Sequence, residues 1–259
     1  MTEPARVFIT GASSGLGEAL ARAYAASHPG VRLGLLARRL GQLKALEHSL
    51  PQAQCRLYEV DVNDAAALQI AALDFIEWTG GADVVIANAG ISAGTVTGES
   101  GDANVFAQVV QTNLIAMAQT FDPFVPVMRR QAAGRLVGIA SVAGIRGLPG
   151  AGAYSASKAG VIAYLESLRV ELHNTPVKVV TIAPGYIRSP MTAANQYPMP
   201  FLMDAERFAQ QAVAKIGSGA RFSVIPWQMG WIARVLRWLP RGLFDLLFSR
   251  APRKARVGE

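Results

Sequence analysis

A chain of 259 residues, 51% hydrophobic and 17% charged, is long enough for one large α/β domain and apolar enough to fill its core. Its single cysteine, Cys55, excludes an intramolecular disulfide, and three scattered histidines (His28, His48, His173) lack metal-ligand spacing, so no metal is expected. The net charge of +7 is concentrated in residues 220–259, where eight Lys/Arg face two acids, which argues against a nucleic-acid surface on the main body.

The N-terminus, MTEPARVFITGAS, has no charged segment leading into a long apolar run. Neither a signal peptide nor a membrane span is expected there, and a cytoplasmic location fits the lone cysteine. Residues 5–10 (ARVFIT) are β-rich, and TGASSGLG then opens a helix, EALARAYAAS. VRLGLLA predicts a strand, LGQLKALEHSL a helix, QCRLYEVDV a strand, AAALQIAALDFIEWT a helix and ADVVIANAG a strand with a turn. Residues 103–131 predict a long helical stretch, bent or broken at Pro123 and Pro126. RLVGIAS predicts a strand, residues 153–173 a helix, VKVVTIAPG a strand and RFSVIP a last strand. Strands alternating with helices, each strand apolar throughout, argue for a parallel sheet covered on both faces. We expect residues 1–225 to form one domain, with the regular alternation ending after Pro184, and a basic amphipathic extension over 226–259.

Two local patterns carry chemistry. Gly11, Gly15 and Gly17 lie between the first strand and the first helix, where glycines allow tight dihedrals and close approach, and a helix N-terminus favours a pyrophosphate. Further on, Tyr154 and Lys158 are four residues apart in a helical segment and so share one face. Unperturbed, the two side chains titrate near ~10 and ~10.4. An ammonium beside a phenol favours the phenolate and would lower the tyrosine pKa toward working pH. Ser141, after the strand RLVGIA, can present a hydroxyl to the same atom.

The stretches Thr10–Gly17, Asp61-Val62, Asn88-Ala89-Gly90, Asn113, Ser141, Tyr154/Lys158 and Pro184-Gly185 occur in an order and spacing that resembles the short-chain dehydrogenase/reductase family, across residues 5–190. The resemblance implies a doubly wound Rossmann fold of the α/β class. Its seven-stranded parallel sheet would have helices on both faces and bind NAD(P) at the carboxyl edge. It implies cofactor contacts at Gly11, Ser13, Ser14, Gly15, Leu16, Gly17, Asp61, Val62, Asn88, Ala89, Gly90, Tyr154, Lys158, Pro184, Gly185, Ile187 and Ser189. Ser189 stands where the family commonly has threonine.

The end of the second strand, Leu36-Ala37-Arg38-Arg39, has no acid to read a ribose 2′-hydroxyl, and an arginine fork suits a 2′-phosphate. NADP(H) is therefore expected over NAD(H), with Arg38 the first choice and Arg39 the second. By the same resemblance Tyr154 is the acid/base and Lys158 lowers its pKa and holds the nicotinamide ribose. Ser141 stabilises developing charge, and Asn113 holds a water that feeds Lys158. A homodimer through the two long helices is the default by analogy, and the partner is a small carbonyl or alcohol. A nucleotide-binding regulator or membrane-recruited scaffold without catalysis is the alternative, though the intact Asn113/Ser141/Tyr154/Lys158 set argues against it.

By the same resemblance a substrate lid falls at about 190–217; within it Met191–Phe208 carries Met191, Met199, Phe201, Leu202 and Met203, which suit a lipophilic or bulky substrate or simply pack on the core. Beyond it, residues 228–248 predict basic amphipathic helices. Arg234, Arg237 and Arg241 fall on one face, and Trp231, Ile232, Val235, Leu236 and Leu239 mainly on the other, with a break at Pro240. Such a segment fits a membrane interface, a protein partner or a flap over the site.

Overall fold

The apolar runs become parallel strands because each is covered on both sides. In the computed structural model, which describes residues 5–193, 195, 197–249 and 251, the first half runs β1 (Arg6–Thr10), α1 (Gly15–Ser27), β2 (Arg32–Ala37), α2 (Leu40–His48), β3 (Gln54–Glu59), α3 (Ala65–Thr79) and β4 (Val84–Ala87). There follow α4 (Asp102–Val110), a π-helical turn (Gln111–Ile115), α5 (Ala116–Phe121), α6 (Phe124–Arg130), β5 (Gly134–Ile139), a 3-10 turn (Val142–Gly144) and α7 (Gly152–Glu171). The chain continues with β6 (Val177–Pro184), α8 (Pro190–Ala193), α9 (Ala205–Gly217), β7 (Phe222–Ile225), α10 (Trp227–Trp238) and α11 (Arg241–Phe248). Arg250, Arg253, Lys254 and Arg256 of the basic tail lie outside the described residues.

The seven strands pair in the order β3-β2-β1-β4-β5-β6-β7, all parallel. The winding reverses between β1 and β4, which opens a crevice at their carboxyl ends. Successive residues of a strand serve opposite cores. Val7 and Ile9 join α1, α2 and α9 on one face, while Phe8 joins α3, α5, α6 and α7 on the other. This is why β1 shows no polar alternation. Phe8 packs against Phe75 and Phe124 with ring centroids 5.3 and 5.1 Å apart. Gly34 in β2 leaves the room: a Cβ there would stand 2.5 Å from Phe75 Cδ2 and 2.6 Å from Phe8 Cδ2.

The predicted long helix over 103–131 is three helices and a π turn. Pro123 marks the break, as the residue before α6. Pro126 sits in that helix's first turn, where a missing N–H costs no hydrogen bond. In the tail, Pro240 separates α10 from α11. On α10, Trp231 and Val235 are exposed as Arg234 is, and the buried side is Met229 and Ala233. A helix packed on one side buries the residues nearest the body, and here those are small or flexible rather than the largest.

Candidate active site

The carboxyl ends of β1, β4, β5 and β6 surround a cavity of about 570 Å³, within the range of small-molecule sites. Every candidate catalytic or cofactor-binding residue from the sequence lines it except Gly17 and Asn113.

The glycine turn closes one wall. Gly11 and Gly15 adopt φ of +68° and +59°, a region that favours glycine. Gly17 has no room for a side chain, since a Cβ would collide with the carbonyl oxygen of Gly11 and lie 2.6 Å from Asn88 Nδ2. Asn88 fastens this turn to β4: its Nδ2 donates to the carbonyl oxygens of Thr10 at 2.9 Å and Gly11 at 3.2 Å. The Thr10 hydroxyl accepts from the backbone N–H of Asn88 and of Ala89, both at 3.1 Å. The glycines therefore let the turn pack closely on β4 at the N-terminus of α1, where backbone N–H groups suit a pyrophosphate.

Arg38 and Arg39 sit at the end of β2. Arg39 Nη2 donates to Ser14 Oγ at 2.8 Å and Ser13 Oγ at 3.0 Å, so it bends back over the turn. Arg38 is mostly exposed and lies 3.6 Å from Asp61 Oδ2. One cation thus borders the turn and the other borders Asp61.

Ser141 starts the 3-10 turn with extended backbone, and its Oγ accepts from Ala143 N–H at 3.2 Å. Its side chain also hydrogen-bonds Tyr154, which is partly exposed to the cavity. Lys158 is buried, and its Nζ donates to the Ile139 carbonyl at 2.7 Å. The Nζ stands 5.9 Å from the Tyr154 ring centroid. Burial pulls the Lys158 ammonium down to about 8. It pushes the Tyr154 phenol up, and the Ser141 hydrogen bond opposes that rise. Both groups lose solvent, and burial shifts each toward its neutral form.

Asn113 lies in the π turn and is fully buried. Its Oδ1 accepts from Ile91 N–H at 2.8 Å, and its Nδ2 donates to the Ile91 carbonyl at 3.0 Å and Ser157 Oγ at 3.0 Å. The amide braces the loop after β4 against α7. A Cβ on Gly90 would lie 3.1 Å from Asn113 Oδ1 and 3.6 Å from Lys158 Nζ, so the space this glycine leaves open borders both groups.

Several neighbours were not anticipated from the sequence. Gln108, Thr112, Asn63, Ile91 and Thr192 also line the cavity. Thr192 Oγ1 accepts from the Ser189 N–H at 3.0 Å and donates to the Ile187 carbonyl at 2.7 Å, and the S-x-x-T spacing was the available signal. Tyr197, in the lid, packs edge-on to Tyr186 at 6.3 Å. Burial raises its pKa, with smaller contributions from Tyr186 and Tyr154. No spacing rule would have joined it to Tyr186.

A doubly wound sheet with a glycine cradle and a Ser-Tyr-Lys group at its carboxyl edge defines a nucleotide-binding oxidoreductase. The chain belongs to the short chain dehydrogenase family, whose sequence profile matches residues 5–199. It is 40% identical over 246 residues to an uncharacterized oxidoreductase of Myxococcus xanthus, covering 93% of this chain and 95% of that one. Its fold resembles a short chain dehydrogenase/reductase from Burkholderia phymatum in complex with NAD, with a TM-score of 0.80, 25% identity and coverage of 98% and 99% of the two chains. It also resembles a variant of actinorhodin polyketide ketoreductase with NADPH, with a TM-score of 0.77, 26% identity and coverage of 89% and 99%.

Proposed function

We propose that the protein is an NADP(H)-dependent oxidoreductase that interconverts a carbonyl and an alcohol on a lipophilic or bulky small molecule. The observation that carries this reading is the convergence of Ser141, Tyr154 and Lys158 on the same cavity as the glycine turn and the two arginines. The open cradle at Gly11–Gly17 fits a dinucleotide. Ser13, Ser14, Gly15 and Leu16 would hold its pyrophosphate, Asp61 and Val62 would border the adenine, and Ile187 and Ser189 would meet the nicotinamide end. The bound cofactor supplies the hydride for reduction or accepts it for oxidation.

Tyr154 then donates a proton to the oxygen of the substrate, or takes one in the reverse direction. Ser141, already hydrogen-bonded to Tyr154, places a second donor at that oxygen and stabilises its charge. Lys158 carries a positive charge below pH about 8, favours the phenolate left after donation and would hold the cofactor's ribose. The opening beside Gly90, bordered by Asn113 Oδ1 and Lys158 Nζ, suits a water that returns the proton to Lys158.

Met191 at the cavity wall, with Tyr186 and Tyr197 close by, supports the lipophilic or bulky substrate class. Preference for NADP(H) is supported by the arginine pair and the lack of an acid at the end of β2. A homodimer through α4 and α7 is supported by the exposed apolar Phe106 and Val170 on those helices, and a monomeric mass in sedimentation would overturn it.

NADPH oxidation over a panel of ketones and aldehydes tests the reaction. Tyr154→Phe is expected to lower kcat by about 100-fold or more with NADPH binding nearly unchanged. A fully active Tyr154→Phe protein would remove Tyr154 from the chemistry, and wild type inert on every carbonyl and alcohol would remove the reaction.

A further inference from the structure

Along α10, Trp227, Trp231, Val235 and Trp238 succeed one another at steps of four, four and three residues, so they form one stripe. The stripe faces away from the body: Trp231 is 60% exposed, Val235 63% and Trp238 85%. Met229 and Ala233, on the opposite side, are buried. On α11, Leu246 and Leu247 are exposed while Phe244 is buried. Single exposed leucines need no account, but a stripe with three tryptophans does. Arg234, Arg237 and Arg241 are exposed on the same two helices, and the Arg234 guanidinium lies 5.1 Å from the Trp231 ring centroid. Arg250, Arg253, Lys254 and Arg256 follow in the sequence.

We propose that the outward face of α10 and α11 is a docking surface for an anionic lipid bilayer, on which the protein lies without crossing it. Tryptophan and leucine favour the boundary between headgroups and acyl chains, and arginine reaches from there to anionic headgroups. Among the described residues no helix is long and apolar enough to span. A second copy docked through this face would set its arginines against their own equivalents, whereas anionic headgroups complement them.

The inner side of α10 connects this surface to the cavity. Met229 fills the space at Gly185, where a Cβ would come 2.6 Å from Met229 Cγ, and Gly185 is part of the cavity wall. Arg146, in the loop after Ser141, donates to the carbonyls of Leu236 at 3.0 Å and Leu239 at 3.1 Å. Docking therefore brings a molecule dissolved in the bilayer to the segments that line the cavity. That last step rests on the proposed reaction, and the lipid binding does not.

Flotation of the full chain with vesicles of phosphatidylcholine alone, and of phosphatidylcholine mixed with phosphatidylglycerol, tests the surface. We expect binding to the anionic vesicles at least about tenfold stronger than to the neutral ones, and weakened by salt. The double variants Trp238→Ser/Leu246→Ser and Arg234→Glu/Arg237→Glu should each lose about tenfold of that binding while keeping turnover of a water-soluble carbonyl. Wild type that ignores anionic vesicles, or binding that both variants retain in full, overturns the proposal. It is equally overturned if wild type ignores vesicles and Trp238→Ser/Leu246→Ser lowers the mass in sedimentation, because the stripe then serves a second copy. A chain inactive on every carbonyl yet floated by anionic vesicles would overturn the reductase reading and leave this one standing.

Discussion

Arg38 and Arg39 are adjacent in the chain but meet different partners. Arg39 spends its guanidinium on Ser13 and Ser14, whereas Arg38 has only a loose, solvent-screened contact with Asp61. The more weakly held fork is the freer one to clasp a phosphate, which keeps Arg38 as the first choice. Replacing it by aspartate puts a carboxylate where a 2′-phosphate would lie and offers an acceptor to a 2′-hydroxyl. Arg38→Asp should lower the NADP/NAD ratio of kcat/KM by about 100-fold, roughly 2.7 kcal/mol of discrimination. An unchanged ratio in steady-state kinetics would shift the assignment to Arg39 or remove the preference.

At the scale of elements, Arg146 is the joint between the tail and the loop after Ser141. Its guanidinium caps the last carbonyls of α10 and stacks over the Phe244 ring of α11 at 4.2 Å. Cations belong at helix C-termini, where carbonyls lack partners, and the ring adds a further attraction. Without that guanidinium α10 and α11 would depend on apolar packing, chiefly that of the buried Met229, Ala233 and Phe244. Arg146→Ala should therefore raise amide hydrogen exchange in residues 236–248 by about tenfold or more, while the melting temperature moves by only a few degrees. Arg146→Lys should recover little, because an ammonium lacks the planar face that stacks over Phe244. Unaltered exchange in the tail of Arg146→Ala would show that apolar packing alone holds it.

For the whole molecule, the buried Lys158 opposes folding. Its proton is held less tightly in the folded chain, at about 8, than in the unfolded chain, near 10.5. Below about 8 both states are protonated and the cost of burying the charge is fully present. Between those values the unfolded chain binds more protons, so stability rises with pH. Lys158→Met removes the titration. The stability of wild type relative to Lys158→Met should therefore grow by about 1.4 kcal/mol per pH unit above about 8, as read by urea unfolding. Other groups titrate in both proteins, including Cys55, which burial pushes up to about 11, and they cancel in the comparison. A difference independent of pH would show that Lys158 is solvated in the folded chain. The site thus tolerates a destabilising cation, as active sites often do.

The alternation of strands and helices, the glycine turn, the Tyr154/Lys158 pair and the order of the motifs were legible in the amino-acid sequence alone. They rest on local rules: backbone dihedrals, helical periodicity and strands apolar on both sides. The ends of the long helical stretch were less legible, because the π turn around Asn113 has no composition signal of its own. Only the tertiary structure decided the direction of the Tyr154 pKa shift, which depends on desolvation by residues distant in sequence. It also packed Tyr197 of the 190–217 segment against Tyr186 and set Arg39 rather than Arg38 on the glycine turn. The same holds for the tail. Helical spacing can place Trp231, Val235 and Arg234 around α10, but the face that turns to water is chosen by what packs beneath it, here Met229 against Gly185 and Arg146 against the last turn.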